Sequence, residues 1–488
     1  MILQNLQQFN YQMKNIVFLS FALVLFGCSN SQPKDNQILN EIEKGNFTQA
    51  SHLIDSVIAL KKTTHDKQQA LLFTKDSLRR VSLDFNKDID DVVSWIKKHH
   101  GFEPTEAQLD EWEKENVLEY RIIDQQKRYF RNAAPNLFRL NAKARSLSNA
   151  PKPKSDTPKD ELLIEAFENK EVSDRVWRSL LKPQRMKVLY TLTVKPDVVS
   201  NGERIRAWLP YPHGDISRQT NVKFIEASQA NYVMSNNVVP HSSIYMEKEA
   251  QAGKPTTFSV EYEFTSQGEW IDLSMIDEKT GFGHPSKLSD YVAERSPHTQ
   301  FSERLKGLTD EVTKNADGTI ETVEAIYKYI VENYPWASAL EYSTIKNIPE
   351  YAIENKKGDC GQVALLLITM LRYKNVPARW QSGWMMHPGE VNLHDWAEYY
   401  IEGVGWIPID VSFGRTDVKS NPLPKKFFMS GIDSYRLYIN KDYSGTFYPE
   451  KKYPRSETVD FQRGEVETNS ENLYFDKWTY NMQVEYLD

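Results

Sequence analysis

An α+β fold is the class that this sequence predicts, on three observations. Apolar residues recur at helical spacing from Ile38 to Arg145, and they alternate with polar ones from about Gln184 to Leu273. Beyond Ser302, helical stretches give way to short alternating runs. Segregated helical and alternating regions imply antiparallel sheets with helices added, and 488 residues are enough for two to four domains.

The first element is a targeting segment. Met13 to Cys28, MKNIVFLSFALVLFGC, has a positive flank at Lys14, a short apolar core from Ile16 to Phe26 and small Gly27 before Cys28. It is too short to span a bilayer and reads as a secretory signal over residues 1–28, with Met13 as a possible start. Leu25-Phe26-Gly27-Cys28 resembles a bacterial lipobox, although Phe26 is bulkier than usual there. Lipidation at Cys28 would anchor the chain in the bacterial envelope, with an ordinary signal peptide as the alternative. Residues 29–37, SNSQPKDNQ, form a polar tether.

A helical domain is expected over 38–150. Leu53, Ile54, Val57 and Ile58 share one face, as do Val92, Val93 and Ile96, and a charged amphipathic helix is expected over Glu106 to Gln126. His99 and His100 close a helix before Gly101, where cationic side chains suit the helix dipole better than a metal site would. PKPKSDTPKD opens a linker assigned to 151–182. The β domain, 183–275, is expected as a small sandwich: Met186, Val188, Tyr190, Leu192 and Val194 alternate, as do Ile205, Ala207 and Leu209, and Phe258 to Phe264. A core over 296–425 and a Tyr-rich β segment over 426–488 complete the chain, with Trp478, Tyr480, Met482, Val484 and Tyr486 on one face of a last strand.

Chemistry concentrates at GDCGQVALLLITMLRY, residues 358 to 373. Val363 to Leu371 is apolar all round, the mark of a buried helix, and Asp359 with Gln362 three positions on reads as a capping box. Cys360 is then the first helical residue. Unpaired N–H groups and the positive end of the dipole favour a thiolate there, and flanking Gly358 and Gly361 let a carbonyl approach. If Cys28 is lipidated, Cys360 has no cysteine partner in its own chain, which in an exported protein flags a reactive thiol.

A nucleophile needs a base and a group to orient that base. His394 opens the run HDWAEYYIE and Asp410 lies in GWIPIDVSF, joined through EGVG. A two-residue loop would put the two side chains on opposite faces of the sheet, whereas an odd loop or a bulge, which Gly403 and Gly405 permit, would put them on one face.

Together these segments resemble the transglutaminase-like branch of the papain-related cysteine enzymes, over roughly Arg304 to Arg415. GDCGQVALLLITMLRYKNVPARWQSG matches the Cys motif, NLHDWAEYYIEGVGW the His motif and IPIDVSFG the Asp motif. The resemblance implies a buried Cys helix packed on an antiparallel sheet and a Cys360–His394–Asp410 triad that acts on amide bonds through a thioester. It also implies an oxyanion site at the Cys360 backbone N–H, with an aromatic donor for which Trp336 and Tyr342 are candidates. The thioester can be resolved by water, as in a peptidase or amidase, or by an amine, as in a cross-linking transferase; hydrolysis is favoured.

Trp380, Trp384, Trp396 and Trp406 crowd the motifs and are candidates for a substrate groove, with core packing as the duller account. His387 is expected in a turn. No cluster has metal-ligand spacing, and no cofactor is expected. Sixty basic against 67 acidic residues, mixed along the chain, leave no basic stripe for nucleic acid. The expected partners are a protein or peptide substrate and the membrane through the N-terminal lipid. The rival reading is a non-catalytic surface module that binds protein or glycan.

Overall fold

The computed structural model describes residues 33–60, 63–150, 158–276, 286–414 and 426–487. The signal segment and Cys28 lie outside the described residues. Two compact units make up the chain: Met1–Pro153 with Trp336–Lys346, and Lys154–Pro335 with Asn347–Asp488.

The first unit is built of helices α1 (Pro33–Glu43), α2 (Phe47–Ala59), α3 (His65–Asp84), α4 (Ile89–His100) and α5 (Glu106–Lys114), a hairpin of β1 (Tyr120–Ile123) and β2 (Gln126–Tyr129), and helices α6 (Ala133–Leu140) and α7 (Ala142–Leu147). Reciprocal capping boxes, Asp88 with Asp91 and Thr105 with Gln108, start α4 and α5 by satisfying otherwise orphaned N–H groups. Ile54, Leu71, Leu78, Ile96, Trp112 and Leu137 are buried. The helix expected over 106–126 stops at Lys114 because Asn116 takes a left-handed φ of 55°, and the chain turns back through Asp124 and Gln125, also left-handed. His100 stacks on Phe138 and bonds Ser148, so its ring is used in packing. Segment 336–346 belongs to this unit: Asn136 and Ser338 exchange two hydrogen bonds of 2.9 Å, and Arg131 bridges Asp84 and Glu341.

The second unit begins with α8 (Pro158–Glu168), within the stretch read as linker, where Leu163 and Phe167 are buried against Leu181 and Phe427. Its strands β3 (Glu171–Val172), β4 (Arg178–Leu180), β5 (Gln184–Val194), β6 (Arg204–Pro210), β7 (Gln219–Ala227), β8 (Tyr232–Met234), β9 (Ser243–Glu249), β10 (Thr256–Ser266) and β11 (Glu269–Ile271) precede helices α9 (Glu303–Val312), α10 (Thr319–Asn333), α11 (Ile348–Asn355) and α12 (Cys360–Tyr373). Then come β12 (Ala378–Met385), β13 (Asn392–Ile401), β14 (Gly405–Ile409), α13 (Phe427–Ser430), β15 (Gly431–Ile432), β16 (Arg436–Asn440), β17 (Glu465–Glu467) and β18 (Trp478–Leu487).

The alternation seen in the sequence becomes two sheets, β18-β5-β10-β7 and β17-β6-β9-β8. The last strand pairs with β5 along its whole length, from Trp478 opposite Val194 to Leu487 opposite Arg185. A third sheet, β14-β13-β12-β16, carries α12. Tyr190, Leu192, Trp208 and Tyr262 share one buried cluster with Trp384, Met386, Leu437 and Ile439, so the third sheet is anchored in the same core as the first two.

Candidate active site

Cys360 opens α12 as expected. The Asp359 carboxylate accepts the Gln362 N–H at 3.1 Å, and the Gln362 side chain accepts the Asp359 N–H at 3.3 Å. Residues Gly361 to Arg372 are all buried, which a helix apolar on every side requires. Pro335 O accepts the Gly358 N–H at 3.2 Å and ties down the approach to the cysteine. Cys360 itself is half-buried.

The β13–β14 hairpin resolves the register. Ile401 pairs with Gly405 across three loop residues, Glu402, Gly403 and Val404, with Gly403 and Gly405 at φ 83° and 107°. Ala397 therefore stands opposite Ile409, and His394 and Asp410 share a face. His394 Nε2 lies 2.7 Å from Asp410 Oδ2, which leaves Nδ1 as the ring's other nitrogen. Gly383 pairs with His394 on β12, and a Cβ there would sit 1.9 Å from the Leu437 carbonyl oxygen, so only glycine fits beside the imidazole.

Burial alone would raise the Asp410 carboxyl, but His394, Arg436 and the Phe413 N–H outweigh it and hold its pKa below the ordinary value. Arg436 donates to Asp410 Oδ2 at 3.0 Å and to Asp433 Oδ2 at 2.6 and 2.8 Å. Burial lowers the His394 pKa by more than Asp410 raises it, so the ring is neutral, with its proton on the nitrogen that faces the carboxylate.

The surroundings of the sulfur differ from the expectation. Cys360 Sγ donates to Asp395 Oδ2 at 3.3 Å, and the Asp395 backbone N–H faces the sulfur. Burial, then the charges of Asp395 and Asp359, push the thiol well up, opposite in direction to the helix dipole invoked from the sequence. Asp395 is itself pushed far above the carboxylate range by burial and by Asp460. Asp460 Oδ1 accepts Ser382 Oγ at 2.5 Å, Asn440 Nδ2 at 3.0 Å and the Phe461 N–H at 2.7 Å, and Gln462 Nε2 donates to Asp395 Oδ1 at 2.8 Å.

Trp380, Trp384 and Trp396 are fully buried core residues, which removes them as groove lining. Trp396 packs edge-on against Tyr438, and the Trp384 indole N–H reaches the Gln462 carbonyl. Trp406 borders a polar cleft of about 240 Å³ that it shares with Arg175, Arg218, Arg379 and Glu398. Trp336 and Tyr342 fall in the helical unit, where Arg139 lies 4.6 Å above the Trp336 ring and Tyr342 is buried. His387, expected in a loop, is buried with Nε2 3.2 Å from Asp433. Among the described residues no group of three or more His, Cys, Asp or Glu could hold a metal.

Sequence reasoning missed Asp395, Asp433, Arg436, Asp460 and Gln462. Asp395 sits beside the histidine in the motif itself, but the other four lie 23 or more residues beyond Asp410, in segments without a motif.

Residues 306–411 match the family model of the transglutaminase-like superfamily, and this part of the chain belongs to that superfamily. The chain is 24% identical over 133 residues to YebA, an uncharacterized protein of Bacillus subtilis, a match that takes in 24% of this chain and 18% of that protein. The chain thus spans less than a fifth of the length of that relative. Among solved structures, a candidate cysteine protease from Cytophaga hutchinsonii is similar at 16% identity and a TM-score of 0.41, over 64% of this chain and 93% of that one. The periplasmic domain of TgpA from Pseudomonas aeruginosa is similar at 12% identity and a TM-score of 0.25, over 46% of this chain and 88% of that one.

Proposed function

We propose that this chain is an exported thiol hydrolase that cleaves peptide or glutaminyl-type amide bonds with Cys360 as nucleophile, His394 as acid and base, and Asp410 as the group that orients His394. Anchoring through a lipid on Cys28 belongs to the same proposal and rests on the lipobox-like run Leu25 to Cys28. The observation that carries the reading is the 2.7 Å bond between His394 Nε2 and Asp410 Oδ2, on the strand whose 394–395 peptide abuts the sulfur.

In this mechanism Nδ1 of His394 takes the Cys360 proton as the sulfur bonds to the carbonyl carbon. The resulting oxyanion lies against the N–H groups at the start of α12. The imidazolium passes its proton to the amine nitrogen, the C–N bond breaks and a thioester remains. Water then adds to the thioester while Nδ1 takes its proton, the C–S bond breaks, and the proton returns to sulfur. Of the two fates of the thioester, hydrolysis is the reading favoured for an exported enzyme over transfer to an amine.

Incubation of the purified full chain with casein and a fluorescent primary amine tests this. New peptide ends, abolished in Cys360→Ala and His394→Ala, are expected. Incorporated amine would make the protein a transferase, and neither product would leave the non-catalytic binding module.

A further inference from the structure

We infer that Asp395, paired with Asp460, is a positioning residue that holds Cys360 as a thiol in the resting protein, so that the carboxyl and not the imidazole carries the sulfur's hydrogen bond before substrate arrives. This rests on the reading of Cys360 as nucleophile and adds the state from which it starts.

The geometry is specific. Adjacent residues of a strand point to opposite faces, so His394 and Asp395 flank the peptide bond whose N–H meets the sulfur. On one side the imidazole is committed to Asp410 through Nε2. On the other, Asp395 Oδ2 accepts the thiol at 3.3 Å, and the Gln462 amide fixes Oδ1 while bonding His394 O at 2.9 Å.

Asp460 meets the same carboxyl from the loop beyond β16, braced by Ser382, the residue directly opposite Asp395 on β12. Two buried carboxyl groups in hydrogen-bond contact require one proton between them. Asp460 already accepts from Ser382, Asn440 and the Phe461 N–H, three donors that suit an anion, so the proton belongs to Asp395. The titratable groups that act on the sulfur are Asp395 and Asp359 at the helix cap, with Asp460 against Asp395 and His394 next to Asp395 on β13. No cation pairs with the sulfur among them while the imidazole is neutral. Turnover begins when the S–H turns from Asp395 to Nδ1 of His394.

The test is the rate at which iodoacetamide alkylates Cys360 in the full chain between pH 5 and 11, read from the Cys360 peptide by mass spectrometry, with circular dichroism as a check on folding. Wild type is expected to show one rise on the alkaline side and no plateau at acid pH. Asp395→Asn removes the carboxyl that would ionise beside the sulfur, and the rise is expected to move down by about one pH unit, roughly tenfold faster at a fixed pH below it. Asp460→Asn removes the carboxylate that keeps the proton on Asp395, so the charge moves to the group touching the sulfur and alkylation at pH 7 is expected to slow several-fold.

Opposite directions in two near-isosteric variants are not what simple loosening would give. An acid plateau in wild type, an unchanged profile in Asp395→Asn, or both variants shifting the same way would overturn the inference. The casein assay is read separately: activity that needs Cys360 together with any of those profiles sinks this inference alone, and a correct profile without activity sinks the hydrolase.

Discussion

Asp410 and Asp395 are both buried, one beside β13 and one on it, and they differ in charge: Asp410 is an anion and Asp395 a neutral acid. Asp410 meets donors: the His394 ring, the Arg436 guanidinium, and the N–H groups of Ser412 and Phe413 at 3.0 and 3.3 Å. Asp395 meets an amide, a thiol and a second carboxyl. Burial raises the pKa of each, and only Asp410 has enough positive charge around it to reverse the effect. One residue type thus supplies an anion on the imidazole side of the sulfur and an acid on the other, and the neighbours alone decide which.

The comparison breaks most severely at Asp410. Asp410→Asn keeps the shape but removes the anion that selects the His394 tautomer, so the proton can settle on Nδ1, the nitrogen needed as base. The expected loss in peptide hydrolysis is roughly 1,000- to 10,000-fold, with Cys360 still open to alkylation. A loss below tenfold would remove Asp410 from the mechanism.

Arg436 sharpens the contrast, because it is the cation that Asp395 lacks. It is fully buried between Asp410 and Asp433 and stacked 4.4 Å from the Phe413 ring. Arg436→Met strands two carboxylates in the core and is expected to cost about 3–5 kcal/mol in urea unfolding. The double variant Arg436→Met/Asp433→Asn is expected to recover part of that loss, because one stranded charge is gone. No recovery would mean that the packing of Arg436 matters more than its charge.

What was legible in the sequence follows the same division between near and distant neighbours. The start of α12 and its capping box were readable because Asp359, Cys360 and Gln362 are adjacent in the chain, and the odd hairpin loop was readable because two glycines bracket Val404. The stop of α5 was missed because an Asn in the left-handed region leaves a weaker mark than Gly. The tryptophans were ambiguous by nature: in a short strand an aromatic residue reads the same whether its face meets a cleft or a core, and Trp380, Trp384 and Trp396 meet the core. The charge of the sulfur was out of reach for another reason. The dipole that lowers it is local, whereas Asp460 and Gln462 arrive about a hundred residues later.

Asp84 in the helical unit is the intermediate case, and it carries the smallest expected effect. It is buried, with Arg131 at 2.5 Å and the Glu341 N–H at 2.9 Å, but the Glu341 carboxylate shares the same guanidinium. Burial outweighs Arg131, Glu341 adds to it, and the Asp84 pKa is raised to about 6 from 3.8. A carboxyl raised on folding holds its proton longer in the native state, so its contribution is fully present below about pH 4 and is lost as pH rises through 6. The shift of about two units corresponds to roughly 2–3 kcal/mol across that window. Amide exchange in α3, measured at pH 4.5 and 7 with rates corrected for intrinsic pH dependence, is expected to show protection falling at the higher pH. Asp84→Asn is expected to flatten that difference, since an amide keeps the Glu341 N–H bond without titrating. A slope unchanged in the variant would assign the pH dependence to another group and leave Asp84 as well compensated as Asp410.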